Sequence, residues 1–293
     1  MAITSLSVGS PSSRPSVFFL ALLLFVLVFD CQAGGRSQLI NNLKQDKPQT
    51  VVAYGTSLTE GGAWVDQLQA VLDARYPGMA TVINSGKAGM WSTWGVENLE
   101  ERVIQKRPDT VFIEFAINDA HVANHVSLAQ AKANLETMIS RIHTANRRCE
   151  IMLMTMNPPV GGNLERRPQI EAYYQMYRDV AKKYKLPLID HERHWQRLLE
   201  QDKTLFDQYL PDGLHPTGEG CRQVILPGMV EALWGYYHQV SVRSPAFRRS
   251  AILSLAYTLG SSDISTPKTQ KMFTQRRNGA TKSHVTLRRC VVA

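Results

Sequence analysis

The sequence is poor in cysteine and holds no motif that would put cysteine to use. Only four cysteines occur in 293 residues, and no CxxC pair or Cys/His cluster at metal-ligand spacing is present. This pattern excludes a disulfide-framework protein and a structural zinc module. Cys149 and Cys221 lie in the body of the chain, where the spacing allows either a disulfide or two buried thiols.

The chain also lacks an apolar run long enough to span a bilayer. Its longest run, Val17–Phe29, has 13 residues, whereas a membrane-spanning helix needs about 20. A basic residue precedes the run, and small residues follow it at the positions that a signal peptidase reads. We therefore predict that residues 1–33 are a cleaved signal peptide and that the protein is secreted or periplasmic. An uncleaved N-terminal membrane anchor is the alternative, and Cys31 is a poor match to a lipidated cysteine because Phe29–Asp30 precedes it.

Net charge is unevenly spread. The formal net charge is +8, yet residues 239–293 contain ten Lys or Arg and a single acid, Asp263. This tail shows no periodicity and no regular aromatic interleaving, so we expect a disordered basic extension and no nucleic-acid binding. A tail that binds a surface is the alternative. Residues 34–49 are polar and are expected to form a lead-in to one domain over residues 50–238.

Within residues 50–238, short apolar runs alternate with amphipathic segments and no internal repeat is present. The runs predict strands near 50–54, 80–84, 110–116, 150–155 and 187–190, and the segments between them predict helices near 63–75, 93–106, 128–146, 168–184, 194–201 and 217–237. This alternation favours one five-stranded parallel sheet with helices on both faces. Right-handed crossovers then give a three-layer α/β/α sandwich.

The first strand leads into a serine at a tight turn. The stretch from Thr50 to Gly62 is an apolar β-branched run that breaks at Gly55 and is followed by Ser57 and a helix. Strand ends form crevices, and helix N-termini stabilise negative charge. Ser57 is therefore our candidate nucleophile, and a helix-capping role is the alternative.

Other strand ends supply the remaining groups that acyl transfer needs. In the pair Asp212-x-x-His215, the carboxylate can reach the imidazole and fix its tautomer while the other ring nitrogen faces Ser57. Gly89 can offer an unobstructed backbone N–H to an oxyanion, Asn118 its side-chain amide, and Ser57 its own N–H. The predicted catalytic set is Ser57, Asp212 and His215, with an oxyanion hole of Ser57, Gly89 and Asn118.

These four stretches resemble the blocks of the SGNH hydrolases, also called the GDSL esterase/lipase family. The blocks are Gly55–Leu58, Gly89, Ala116–Asp119 and Asp212–His215, in the family's order. The resemblance spans roughly residues 50–235. It implies an SGNH hydrolase-like catalytic domain over 50–238, a flavodoxin-like sheet, ester hydrolysis by Ser57, and neither a metal nor a cofactor. The block spacing favours Gly89 over the rival Gly86 as the oxyanion donor.

Two residues depart from the family pattern. Thr56 replaces the aspartate of the first block, so the hydrogen bonds of that turn must differ. Ala116 replaces a glycine of the third block. Neither change removes a catalytic group. Glu114 lies in a predicted buried strand, so its carboxylate must reach the end of the sheet or be paired.

The pattern predicts a secreted serine esterase that works through an acyl-enzyme on a small-molecule or carbohydrate ester. Short loops leave no lid for a lipid interface, which favours short acyl groups such as O-acetyl on a carbohydrate. The alternatives are a lipase, thioesterase or acyltransferase with the same residues, or a non-catalytic carbohydrate-binding relative. The sequence does not determine the oligomeric state.

His191, Glu192 and His194 are close in sequence, but no third ligand at a recognisable spacing supports a metal site there.

Overall fold

The computed structural model describes residues 37–235. Its strands are β1 (Gln49–Gly55), β2 (Ala80–Asn84), β3 (Thr110–Glu114), β4 (Glu150–Thr155) and β5 (Leu188–Asp190). They form a single all-parallel sheet in the order β2-β1-β3-β4-β5. The predicted fold is therefore confirmed, and this strand order is that of flavodoxin-like sheets.

Helices fill the connections between the strands. In chain order they are α1 (Gln38–Leu43), α2 (Ser57–Glu60), α3 (Trp64–Arg75), α4 (Ser92–Glu97), α5 (Leu99–Arg102), α6 (Ala116–Asp119), α7 (Leu128–Ala145), α8 (Gly162–Glu165), α9 (Ile170–Tyr184), α10 (His191–Gln201), α11 (Lys203–Tyr209), α12 (Gly218–Gly220) and α13 (Leu226–Trp234). A π-helical turn, Cys221–Ile225, joins α12 to α13, and short 3-10 turns follow α5 and α6.

The two faces of the sheet carry separate groups of helices. Helix α7 contacts both α4 and α9, and α13 contacts both α1 and α3. Helix α10 joins this second group through the π-helical turn. The inner strands β1, β3 and β4 are buried along almost their whole length, while edge strand β2 is half exposed. Burial on both faces explains why the inner strands read as continuous apolar runs.

The predicted strand near 110–116 is shorter in the structure. It ends at Glu114 because the backbone N–H of Phe115 donates to the hydroxyl of Tyr177 (2.9 Å) instead of to a neighbouring strand. The chain then turns at once into α6, so Asn118 lies on a helical turn. The prediction of a strand to 116 was wrong at this end, and the reason is a contact with α9 that is distant in sequence.

The predicted helix near 93–106 is broken into three short pieces. At the first break, the backbone N–H and the side-chain amide of Asn98 both donate to the carbonyl oxygen of Trp94 (2.9 Å each), and asparagine favours helix ends over helix interiors. The periodicity of the apolar residues is preserved, so the inward face was predicted while the interruption was not.

The segment expected as a polar lead-in contains a packed helix. In α1, Leu39, Ile40 and Leu43 are buried. The backbone N–H groups of Gln38 and Leu39 donate to the carboxylate of Glu150 (2.9 and 3.0 Å), an acidic cap supplied by β4. Residues 38–43 thus belong to the folded body.

Some sequence predictions fall outside the described residues. They are the signal peptide at 1–33 and the basic tail at 239–293. Within residues 37–235, no helix is both long and apolar enough to cross a membrane. Cys149 and Cys221 are buried and are not joined to each other.

A buried carboxylate links the end of β3 to the end of β1. Glu114 accepts the backbone N–H of Thr56 (2.6 Å) and the hydroxyls of Thr59 (2.6 Å) and Thr56 (3.1 Å). A Cβ atom on Gly55 would lie 2.1 Å from Oε1 of Glu114, so only glycine allows this approach. The Glu114 carboxylate is therefore paired with hydrogen-bond donors, which is one of the two options expected for a carboxylate in a buried strand.

Burial raises the pKa of Glu114 to about 7, although the three donors favour the charged form. Asp119 at the end of α6 has its pKa raised to about 7 by the same cause. A carboxyl group whose pKa is higher in the folded state stabilises the fold at low pH, and this stabilisation is lost as the pH rises through the folded pKa.

Glu114→Gln should reduce the pH dependence of stability. The wild-type free energy of unfolding should fall between pH 5 and pH 8, and Glu114 should account for about 3 kcal/mol of the fall as an order of magnitude. Glutamine cannot titrate, but its oxygen can accept from Thr56 N–H and Thr59 while its amide donates to the Thr56 hydroxyl. Urea denaturation at several pH values measures the difference.

Glu101→Gln provides the matched control, because this side chain is exposed on α5. It should show the wild-type pH dependence. A Glu114→Gln curve parallel to the wild-type curve would contradict the prediction.

Candidate active site

Ser57 lies where β1 turns into α2. Thr56 is extended and its hydroxyl accepts the backbone N–H of Leu58 (3.2 Å), so it caps the helix that Ser57 begins. The same hydroxyl also donates to Glu114. The hydrogen bonding of this turn thus uses a neutral threonine where the family pattern has an aspartate.

The predicted serine, histidine and aspartate come together in one chain of hydrogen bonds. Oγ of Ser57 lies 2.9 Å from Nε2 of His215, and Nδ1 of His215 lies 2.7 Å from Oδ2 of Asp212. Because Asp212 faces Nδ1, the tautomer with its proton on Nδ1 leaves Nε2 free to accept the proton of the serine hydroxyl.

Asp212 is held in an ionised, oriented state. Burial opposes its ionisation, but the hydrogen bonds from the His215 backbone and ring and from the Leu214 N–H outweigh it. The pKa of this carboxyl is therefore lower than its ordinary value. Its Oδ1 accepts the N–H groups of Leu214 (2.9 Å) and His215 (2.7 Å), which closes the turn that carries both residues.

The segment after β4 fixes this turn from the other side. Three successive carbonyl oxygens of the turn, those of Asp212, Gly213 and Leu214, each accept one hydrogen bond. The donors are the side-chain amide of Asn163 (2.8 Å), the backbone N–H of Val160 (3.0 Å) and the side-chain amide of Asn157 (2.9 Å). The position of His215 is therefore set by backbone anchoring, although its side chain and that of Asp212 are about half exposed.

The loop with Gly89 runs between Ser57 and Asn118. The N–H of Ala88 donates to the Glu60 carboxylate at the end of α2 (2.8 Å), and the carbonyl oxygen of Met90 accepts the Asn118 amide (2.9 Å). Gly89, between these two anchors, has a φ of +75° and open space where a Cβ would project. Within residues 37–235, no backbone hydrogen bond occupies the N–H of Gly89 or Ser57.

Asn118 is buried and its side chain has a defined orientation. One N–H of its amide donates to Met90, and its Oδ1 accepts from Nη2 of Arg167 (3.4 Å). Among residues 37–235, no hydrogen-bond partner occupies the second N–H of this amide, so it remains for a ligand. The structure thus brings Ser57, Asp212 and His215 into contact and links Asn118 and the Gly89 loop to the same turn.

Sequence reasoning assigned only loose roles to the segment after β4. The sequence places Asn157, Asn163 and Arg167 after a buried strand, but the pattern does not identify their partners. Polar residues at the carboxyl end of a buried strand are expected to face the crevice. Their position in the sequence does not indicate which atoms they bind.

His191, Glu192 and His194 lie together at the start of α10. Glu192 pairs with Arg178, and burial lowers the pKa of the enclosed His191 ring to about 3. Across the described part of the chain, no three His, Cys, Asp or Glu side chains are grouped so as to hold a metal ion.

A cavity of about 360 Å³ lies beside the Asn118 turn. His121 and His125 line it together with Asp119, Gln169 and Tyr173. Ser57, Asp212 and His215 do not line it, so it is separate from the space above the serine. His121 and His125 therefore line a cavity that lies next to the proposed active site and does not include its serine.

Comparisons with known proteins give the same family as the sequence blocks. The uncharacterised lipoprotein YqeF of Bacillus subtilis is 26% identical over 246 residues, which cover 69% of this chain and 93% of that protein. The lipase/acylhydrolase of Enterococcus faecalis has a similar structure, with a TM-score of 0.56 and 27% identity over 64% of this chain and 96% of that one.

An acetylxylan esterase from Geobacillus stearothermophilus shares the fold, with a TM-score of 0.56 and 21% identity over 64% of this chain and 94% of that one. The model of the GDSL-like lipase/acylhydrolase family matches residues 53–223, which is more than half of the chain. The resemblance seen in the four blocks is thereby confirmed, and the protein belongs to the GDSL-like lipase/acylhydrolase family and is a carboxylic ester hydrolase.

Proposed function

We propose that the protein is an exported serine esterase in which Ser57 is the nucleophile. The observation that carries the proposal is the continuous hydrogen-bond chain from Ser57 Oγ through the His215 ring to Asp212, at 2.9 and 2.7 Å. A hydroxyl in contact with an oriented imidazole is the arrangement that makes serine nucleophilic at neutral pH.

The reaction follows from these contacts. His215 Nε2 takes the hydroxyl proton as Oγ of Ser57 attacks the ester carbonyl, and Asp212 stabilises the imidazolium that forms. The N–H groups of Ser57 and Gly89 and the free amide N–H of Asn118 bind the oxyanion. His215 then returns the proton to the leaving alcohol. Water, activated by the same ring, releases the acid from the acyl-enzyme.

Short acyl groups fit this site best. The connections around it, residues 85–91, 156–161 and 210–217, are short, and the side chains of Asp212 and His215 are about half exposed. Such an open site suits a small acyl group on a larger alcohol, and a relative of the same fold acts on acetylated xylan. We therefore propose O-acetyl carbohydrates as the substrate class.

A second candidate is a longer, lipid-like acyl chain. Val122 and Leu164 are large apolar side chains with 57% and 44% of their surface exposed. Their segments are adjacent because the N–H of Val122 donates to the carbonyl of Arg166 (3.0 Å). An apolar surface next to Asn118 could receive an alkyl chain.

Ser57→Ala should abolish activity and keep the fold. Hydrolysis of p-nitrophenyl acetate should fall by at least about 1,000-fold, because no other group replaces the nucleophile. A fluorophosphonate probe should label the wild-type protein and not the variant. Ser140→Ala, on the exposed face of α7, is the matched control and should retain full activity and labelling. Residual wild-type activity in Ser57→Ala would refute the mechanism.

A panel of esters decides between the two substrate classes. We expect kcat/KM to be highest for acetyl, to fall through butyryl and octanoyl to palmitoyl, and to be retained on acetylated xylo-oligosaccharides. The double variant Val122→Ser, Leu164→Ser should leave acetyl hydrolysis unchanged. A maximum at octanoyl or longer that this double variant removes would instead establish the lipid-like substrate.

Export is proposed on the N-terminal pattern and on the naming of a relative as a lipoprotein. Cleavage after Ala33 should give a mature protein that begins at Gly34. N-terminal sequencing and mass spectrometry of the protein secreted by a bacterial host test this. An intact N-terminus, or a lipid on Cys31, would show membrane anchoring instead.

A further inference from the structure

Arg167 is a buried cation without an acidic partner in the described residues. Arg167 lies just after α8, and only 4% of the residue's surface is exposed. Its three hydrogen bonds go to neutral oxygens: Nε to the carbonyl of Ile117 (2.7 Å), Nη1 to the carbonyl of Asn163 (3.3 Å) and Nη2 to Oδ1 of Asn118 (3.4 Å). No carboxylate within residues 37–235 forms an ion pair with it.

Such an arrangement is unfavourable for stability. A guanidinium taken out of water loses its hydration, and neutral acceptors replace that loss only in part. Burial accordingly lowers the pKa of Arg167, although an arginine remains charged at neutral pH. An apolar side chain of similar volume would fill the same space with a smaller desolvation penalty. Packing alone therefore does not explain why an arginine occupies position 167.

The three acceptors of Arg167 lie on the two halves of the site. Ile117 and Asn118 belong to α6, which presents the proposed oxyanion donor. Asn163 belongs to α8, and its amide holds the carbonyl of Asp212 (2.8 Å). One planar guanidinium therefore joins the oxyanion side to the segment that anchors the Asp212–His215 turn.

We propose that Arg167 is a positioning residue for ester hydrolysis that orients and polarises the Asn118 amide. This inference rests on the proposed function of Ser57, Asp212 and His215. The guanidinium binds Oδ1 of Asn118, so the amide nitrogen must face Met90 and the oxyanion site. A positive charge on the amide oxygen also draws electron density from the N–H groups and makes them stronger donors.

The effect should appear in the transition state and not in substrate binding. The carbonyl oxygen of the substrate is neutral in the ground state and becomes charged only as the tetrahedral intermediate forms. A polarised donor with a cation behind it therefore gains most when the oxyanion develops. The expected signature of losing Arg167 is a lower kcat with little change in KM.

The experiment is a double-mutant cycle on the full chain. Arg167→Met should lower kcat for p-nitrophenyl acetate about 30-fold and change KM less than about threefold, a loss of about 2 kcal/mol of transition-state stabilisation. In an Asn118→Ala background the same change should cost less than about threefold, because the group that Arg167 orients is gone. Arg166→Met, its exposed neighbour, should leave activity unchanged.

Arg167→Lys keeps the charge but not the planar fork, so it should fall between wild type and Arg167→Met. It enters the same cycle if Arg167→Met does not fold, as judged by thermal unfolding and by titration with the fluorophosphonate probe. An equal loss in the wild-type and Asn118→Ala backgrounds, or a change in KM alone, would overturn the inference. Ser57→Ala tests the proposed function separately, so failure of one can be distinguished from failure of the other.

Discussion

The site depends on one buried carboxylate, that of Glu114. Without it, the turn from β1 into α2 would leave the backbone N–H of Thr56 and the hydroxyl of Thr59 without their shared acceptor inside the protein. With it, the end of β1 is tied to the end of the neighbouring strand β3. Because β1 delivers Ser57 and β3 leads directly to Asn118, this single group fixes the spacing between the proposed nucleophile and an oxyanion donor.

Strand order determines which residues can meet above this carboxylate. In the order β2-β1-β3-β4-β5 the connection reverses direction between β1 and β3, and a crevice opens there beyond the carboxyl ends of the strands. Ser57 and Asn118 lie on its two sides. The Asp212–His215 turn arrives last in the chain and is attached to the segment after β4 through three successive carbonyls. The half-exposed histidine is therefore placed by backbone bonds and not by burial.

The sequence predicted the sheet well because inner strands are continuous apolar runs; β2 and β4 match their predicted bounds. It also predicted that Ser57, His215 and Asp212 would meet, because each lies at a strand end or in a tight turn that faces the crevice. It could not predict that β3 stops at Glu114, since a tyrosine hydroxyl on α9 causes this. It did not predict the contacts of Asn163 or Arg167, because their partners are identified only by three-dimensional contacts with α6 and the Asp212 turn.

Threonine at position 56 follows from the same electrostatic constraint. Glu114 lies within hydrogen-bonding distance of this side chain, and its pKa is already raised to about 7 by burial. A second carboxylate here would add like-charge repulsion in a region from which water is excluded, and would require one of the two groups to hold a proton. A hydroxyl instead donates to Glu114 and accepts the N–H of Leu58 at the same time. The departure from the family pattern thus keeps the turn capped and removes one negative charge from beside the proposed oxyanion hole, where the substrate's own negative charge must develop.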